Sequence, residues 1–188
     1  MKKGLIIGGS IVGVILLLVV MFSSTYNGLV SKEEEVEGKL ADISVQLERR
    51  ADLIPNLVST VKGYTSHEQN IIDSVTKARQ NLVNADDAEE MAEANQQLTT
   101  ALNNLFVIVE NYPDLKANTN FIQLQDELAG TENRIAVARK DYNEAVKNYN
   151  KTIKSFPKNI LAELFDFEEK EYFEANEISN EVPEVSFD

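Results

Sequence analysis

From Leu5 to Phe22 the chain carries no charged side chain; every residue is apolar, glycine or serine. A helix of that length rises about 27 Å, close to the hydrocarbon thickness of a bilayer. Each central aliphatic side chain contributes roughly 0.3–0.6 kcal/mol to insertion, and nothing charged opposes it. A cleaved signal peptide is the competing reading. The run is longer than an ordinary signal core, and Phe22-Ser23-Ser24-Thr25-Tyr26 is a poor cleavage site. The sequence therefore predicts an uncleaved transmembrane anchor over residues 1–25, in contact with lipid through Leu5 to Phe22.

Lys2 and Lys3 precede the span, and Lys32 follows it beside Glu33, Glu34 and Glu35. The positive-inside bias places the short N-terminus in the cytoplasm and the body outside. Gly4–Gly8 and Gly9–Gly13 have the spacing that lets two membrane helices approach closely, which is compatible with a homo-oligomer.

The chain as a whole is acidic, with a formal net charge of −13 over 188 residues. That surplus argues against nucleic acid as a partner, since phosphates need a basic face. The absence of cysteine excludes disulfides, thiolate metal sites and a cysteine nucleophile. Residues 163–188 hold ten acids and only Lys170, so most of the charge lies in a C-terminal segment. Eight glycines and four prolines favour long helices over a turn-rich β fold.

Val36, Leu40, Ile43, Leu47, Ile54, Leu57 and Val61 form a heptad seam of the coiled-coil type, with Arg50 in the vacant slot. A first body helix is expected from about Tyr26 to Tyr64. Pro55 lies inside it and predicts a kink, because proline cannot donate to the Ala51 carbonyl. Ser66 to Gln69 has the spacing of a capping box for a second helix reaching Val83, with Ile71, Ile72, Val75, Ala78, Leu82 and Val83 inward. Asp87 to Glu90 has the same spacing for a third, with Met91, Ala94, Leu98, Ala101, Leu105 and Val109 inward. Tyr112-Pro113-Asp114 breaks the pattern. Asn118 or Thr119 then caps a fourth helix, whose stripe runs from Phe121 and Leu124 to Ile153 and Phe156.

Two long and two short helices predict an all-α fold: the N-terminal transmembrane helix followed by an elongated antiparallel four-helix bundle over residues 26–160. The unequal lengths predict a two-helix stalk carrying a four-helix head. Residues 161–174 are expected to dock on the stalk or lie on the membrane, and their interleaved acids favour the stalk. Residues 175–188 form an acidic tail of disordered composition.

Two stretches resemble the LemA family. One is Arg49-Arg50-Ala51-Asp52-Leu53-Ile54-Pro55-Asn56-Leu57-Val58, with Thr60 to Tyr64 and His67-Glu68 after it. The other is Glu110-Asn111-Tyr112-Pro113-Asp114-Leu115-Lys116-Ala117-Asn118. Tyr142-Asn143, Tyr149-Asn150 and Phe156-Pro157 are similar to the family's last part. This chain departs from the pattern at Leu40, where tryptophan is common, and at Asp166, where glycine is common. The resemblance implies a bacterial membrane protein with one N-terminal span, a helical bundle and no defined molecular activity. It also carries a topology with the short N-terminus outside, opposite to the charge bias.

The candidate interaction or structural cluster is Arg49, Arg50, Asp52, Pro55, Asn56, Tyr64, His67, Glu110, Tyr112, Pro113, Asp114 and Lys116, expected to converge at the head. Arg50 on the seam needs a carboxylate, with Asp114 or Glu110 the expected partner. Arg79 and Glu132 read as solvated charges. His67-Glu68 is not a zinc motif, because position 71 is isoleucine. No catalytic set, metal site or cofactor site is expected, so the chain does not read as an enzyme. The leading function is an interaction or scaffold protein in the bacterial cytoplasmic membrane, with another membrane or envelope protein as partner. The alternative is a small-molecule or metal sensor using the polar head.

Overall fold

The computed structural model describes residues 2–65 and 67–174, with side chains from Gly8 onward apart from Ser10. The acidic stretch 175–188 and the Ser66 half of the first capping box lie outside the described residues. Among the described residues the protein is all-helical, with six helices and no strand. They are α1 (Lys2–Lys62), α2 (Gln69–Val83), α3 (Ala88–Val109), α4 (Pro113–Lys116), α5 (Thr119–Lys154) and α6 (Lys158–Leu164).

α1 is one helix of 61 residues, so the apolar run and the first body helix are continuous rather than separated near Tyr26. Ser23 to Asn27 include no proline or glycine to break the backbone. Residues 11–22 are exposed along their whole length, and the helix is long and apolar enough to cross a membrane. From Leu29 onward one face is buried. Val36, Ile43, Leu47, Arg50, Ile54, Leu57 and Val61 all lie on it.

The helix continues through Pro55, whose ring is exposed. The carbonyl that Pro55 cannot serve is that of Ala51. Arg79 of α2 serves it instead, its Nε donating to the Ala51 oxygen at 2.9 Å. Arg79 is therefore not a solvated charge; it mends the proline gap from a neighbouring helix. Arg79→Ala is expected to cost about 1.5–3 kcal/mol, the worth of a hydrogen bond from a charged group. In a Pro55→Ala background the new N–H serves Ala51, so most of that cost should vanish. Urea unfolding of the four proteins in a double-mutant cycle checks this.

α2 begins at Gln69, with Glu68 in the cap position and no side-chain cap bond. The Gln69 side chain donates forward instead, from Nε2 to Asp73 Oδ1 at 2.7 Å. Ile72, Val75, Ala78 and Leu82 are buried as their spacing requires, but Val83 is exposed. Val83 follows Leu82 directly and so falls about 100° off its face. α3 is capped by Asp87, whose carboxylate accepts from the Glu90 amide at 2.8 Å. The returning bond goes from the Asp86 amide to Glu90 at 3.1 Å, one residue earlier than in an ideal box. α4 is a single turn that fills the expected break, with Pro113 in its first turn and Leu115 fully buried. At α5, Asn118 is the cap and accepts from the Phe121 amide at 3.1 Å. α5 ends at Lys154, two residues short of Phe156, which leaves the stripe and becomes exposed.

The chain divides into two compact units: Met1–Gly38 with Glu144–Lys170, and Lys39–Asn143 with Glu171–Asp188. The second unit holds α2, α3 and α4. Its core combines Ile43, Leu47, Ile54 and Leu57 of α1 with Val75, Leu98, Leu105, Leu115 and Ile135. The first unit holds α6 and buries Leu29, Val36, Val146 and Tyr149. Asp166, just after α6, has φ 56°, a left-handed conformation that glycine adopts without strain. This is the position where the family resemblance led one to expect glycine.

Candidate functional site

Arg50 enters the core because its place on α1 is a seam position. One guanidinium nitrogen, Nη1, lies 2.5 Å from Asn95 Oδ1 of α3 and 2.6 Å from Glu132 Oε2 of α5. Its Nε has no hydrogen-bond partner among the described residues. Burial pushes the guanidinium pKa down, and the Glu132 charge opposes that shift. The expected partners, Asp114 and Glu110, are replaced by Glu132. α1 runs on for about 18 Å between Arg50 and Lys62 before the chain turns, and Glu110 and Asp114 belong to a different turn, between α3 and α5. Glu132 lies between Leu128 and Ile135 at seam spacing, and Asn95 interrupts the apolar face of α3 in the same way.

The remaining candidates separate into smaller sets. The Tyr64 hydroxyl accepts from Asn118 at 2.8 Å, and the Tyr112 hydroxyl donates to Glu68 at 2.8 Å. That bond to Glu68 holds the Tyr112 pKa above its usual value, with desolvation and the Glu68 charge adding to it. Lys116 pairs with Glu110 at 2.5 Å. Arg49 pairs with Glu127 at 3.0 Å on the surface. Asp52, Pro55, Asn56, His67, Pro113 and Asp114 are exposed. The structure thus forms a buried knot at Arg50 and a set of turn contacts, rather than one convergent cluster. Asn95, Glu132, Arg79, Glu68 and Asn118 are the participants that sequence reasoning left out.

The two Tyr-Asn pairs of α5 do related work in their separate units. In the second unit Asn143 accepts from the Phe173 amide at 2.9 Å and donates to the Phe173 carbonyl at 3.2 Å. Tyr142 donates to the Glu171 carbonyl at 2.9 Å. Phe173 is buried, with the Arg139 guanidinium 5.2 Å from its ring centre. In the first unit Asn150 accepts from the Lys170 amide at 3.0 Å and donates to its carbonyl at 2.8 Å. Lys170 also pairs with Glu33 at 2.8 Å. Each asparagine thus satisfies the backbone donor and acceptor of one residue of the returning chain at once.

Tyr149 is fully buried beside this second clamp, and its hydroxyl has no hydrogen-bond partner among the described residues. Burial pushes its pKa up to about 12, with Glu33, Glu168 and Glu37 adding to the effect. An unfolded tyrosine titrates near 10. The folded state therefore keeps its proton longer, and this contribution to stability is full below pH 10 and lost as pH rises through about 12. Tyr149→Phe removes the titration and loses no bond. Its urea midpoint should fall less steeply than the parent's over that alkaline range.

No group of three or more histidine or carboxylate side chains is placed to hold a metal among the described residues. Arg50, Asn95 and Glu132 join α1, α3 and α5, and Asn143 and Asn150 hold the returning chain.

These features define an all-helical protein with a candidate N-terminal membrane helix and a core locked by a buried arginine. The LemA family model matches residues 39–187, and the chain belongs to the LemA family. Magnetosome protein MamQ 2 of Paramagnetospirillum magneticum is 27% identical over an alignment covering 84% of this chain and 69% of that protein. Protein LemA of Metamycoplasma hominis is 27% identical, covering 81% of this chain and 70% of its own length. Magnetosome protein MamQ of Magnetospirillum gryphiswaldense is 25% identical, covering 79% and 64% respectively.

Proposed function

We propose that the protein is a non-enzymatic interaction protein of the bacterial cytoplasmic membrane, in which a four-helix bundle made by α1, α2, α3 and α5 is held by a single N-terminal span. The observation that carries this reading is the continuity of α1, which passes from the exposed apolar residues 11–22 into the buried seam with no linker. Anchor and body are thus one element, and a partner bound to the body is held at the membrane. The lysines before the span favour a body outside the cytoplasm.

The surface offered to a partner is the outward side of α1 near Pro55. Asp52, Pro55 and Asn56 are exposed there, while Ala51, Ile54 and Leu57 are buried. A photo-crosslinking residue placed at Asn56 of the full chain in native membranes should yield a discrete adduct. The same residue at Val137, exposed on α5, serves as the reference. If Asn56 gives no adduct beyond that reference, this surface is not a binding face.

A further inference from the structure

α6 and the residues beside it leave an apolar face uncovered. Phe156 is 82% exposed, Ile160 59% and Leu164 64%. The three follow one another at intervals of four, so Ile160 and Leu164 share one side of α6 and Phe156 extends it. The opposite side, at Ala162, is buried against the first unit. Phe165 follows at once, and its ring packs edge-on against Phe22 with centres 5.6 Å apart and against Tyr26 at 4.9 Å.

Phe22 is the last residue of the apolar run, and Phe165 therefore sits at the level where that run ends. A soluble domain seldom leaves three large side chains in a row facing water. Here the surface is continuous with a helix face that is itself destined for lipid. We infer that α6 is an interfacial element that lays Phe156, Ile160 and Leu164 into the boundary between headgroups and acyl chains of the membrane crossed by α1. Lys158 is exposed next to this face and is long enough to reach the headgroups, while Lys154 pairs with Glu169 at 2.6 Å. Glu163 flanks it on the helix, while Asp166, Glu168 and Glu169 follow α6. Asp166, Glu168 and Glu169, with Glu171, were the reason to favour docking on the stalk over the membrane. The pattern of exposure separates the two roles: Ala162 faces the protein, and Phe156, Ile160 and Leu164 face outward.

This inference rests on α1 being a membrane span, and the test separates the two. The protein has no tryptophan, so one introduced residue is a unique fluorophore. Phe22→Trp, Ile160→Trp, Leu164→Trp and Val107→Trp would each be made in the full chain and reconstituted in phosphatidylcholine vesicles, with and without bromine on the acyl chains near the glycerol. Val107, on α3 in the second unit, is 70% exposed and is the aqueous reference. The inference expects Ile160→Trp and Leu164→Trp to lose as large a fraction of their emission to the brominated lipid as Phe22→Trp, and Val107→Trp to lose none. Quenching at Phe22→Trp alone overturns the interfacial role of α6 and leaves the span standing. No quenching at any position overturns both. Blue-shifted but unquenched emission at Ile160→Trp and Leu164→Trp means that protein covers the face, and also overturns the inference.

Discussion

Glu132→Ala is expected to destabilise the protein by about 1–3 kcal/mol: it leaves the buried Arg50 charge without its carboxylate, and the loss is less than for a fully buried pair because the Glu132 side chain is 41% exposed. The guanidinium has little to fall back on. Asn95 is its other partner, and its Nε has no partner among the described residues. Arg50→Met with Asn95→Leu and Glu132→Leu removes the whole knot and replaces it with apolar volume. Since a buried ion pair roughly balances its own desolvation, the triple variant should recover most of the loss or exceed the parent. Urea midpoints at neutral pH distinguish the cases. A cost below 1 kcal/mol for Glu132→Ala would mean that water, not Glu132, compensates Arg50.

Leu128→Asp and Leu47→Asp are expected to abolish cooperative unfolding. Both leucines are buried on the facing stripes of α5 and α1. Each substitution removes a core side chain, worth about 2–5 kcal/mol, and places a carboxylate where it can be neither solvated nor paired. The sum equals or exceeds the whole stability of an ordinary domain, about 5–15 kcal/mol. Val107→Asp, on the exposed side of α3, should stay within about 0.5 kcal/mol of the parent. Circular dichroism during thermal unfolding reads the contrast directly.

The parts of the fold that were legible in the sequence are those that depend on neighbours three or four residues away. The seam from Val36 to Val61, the buried stripe of α3 and the Asp87 cap all follow from local periodicity. What was not legible depends on a second segment arriving. Pro55 shows that the Ala51 carbonyl is orphaned, but not that Arg79 comes from α2 to take its bond. Glu132 looks like a surface charge until Arg50 is known to face it, although its place between Leu128 and Ile135 already marked a seam position. Asn95 was hidden in the same way. The seven-residue repeat of Tyr142-Asn143 and Tyr149-Asn150 was visible as a motif. Its use became clear only from the returning chain, where Lys170 and Phe173 present backbone to the two asparagines.

α6 shows a similar limit. A composition of alternating acids and apolar residues does not say which of them share a side. The helix does, by placing Ile160 and Leu164 outward and Ala162 inward. The proposed role in the membrane thus depends on three-dimensional placement and not on net charge. It also accounts for Phe156, which has no place in the stripe of α5 once that helix stops at Lys154.

The central claim is that α1 anchors the folded body in a bilayer. The most direct measurement compares the full chain with a version lacking residues 2–22, both expressed in bacteria and followed through an alkaline wash of isolated membranes. The account predicts that the full chain stays with the pelleted membranes, while the shortened chain is released and still unfolds cooperatively. Release of the full chain by the same wash would contradict it.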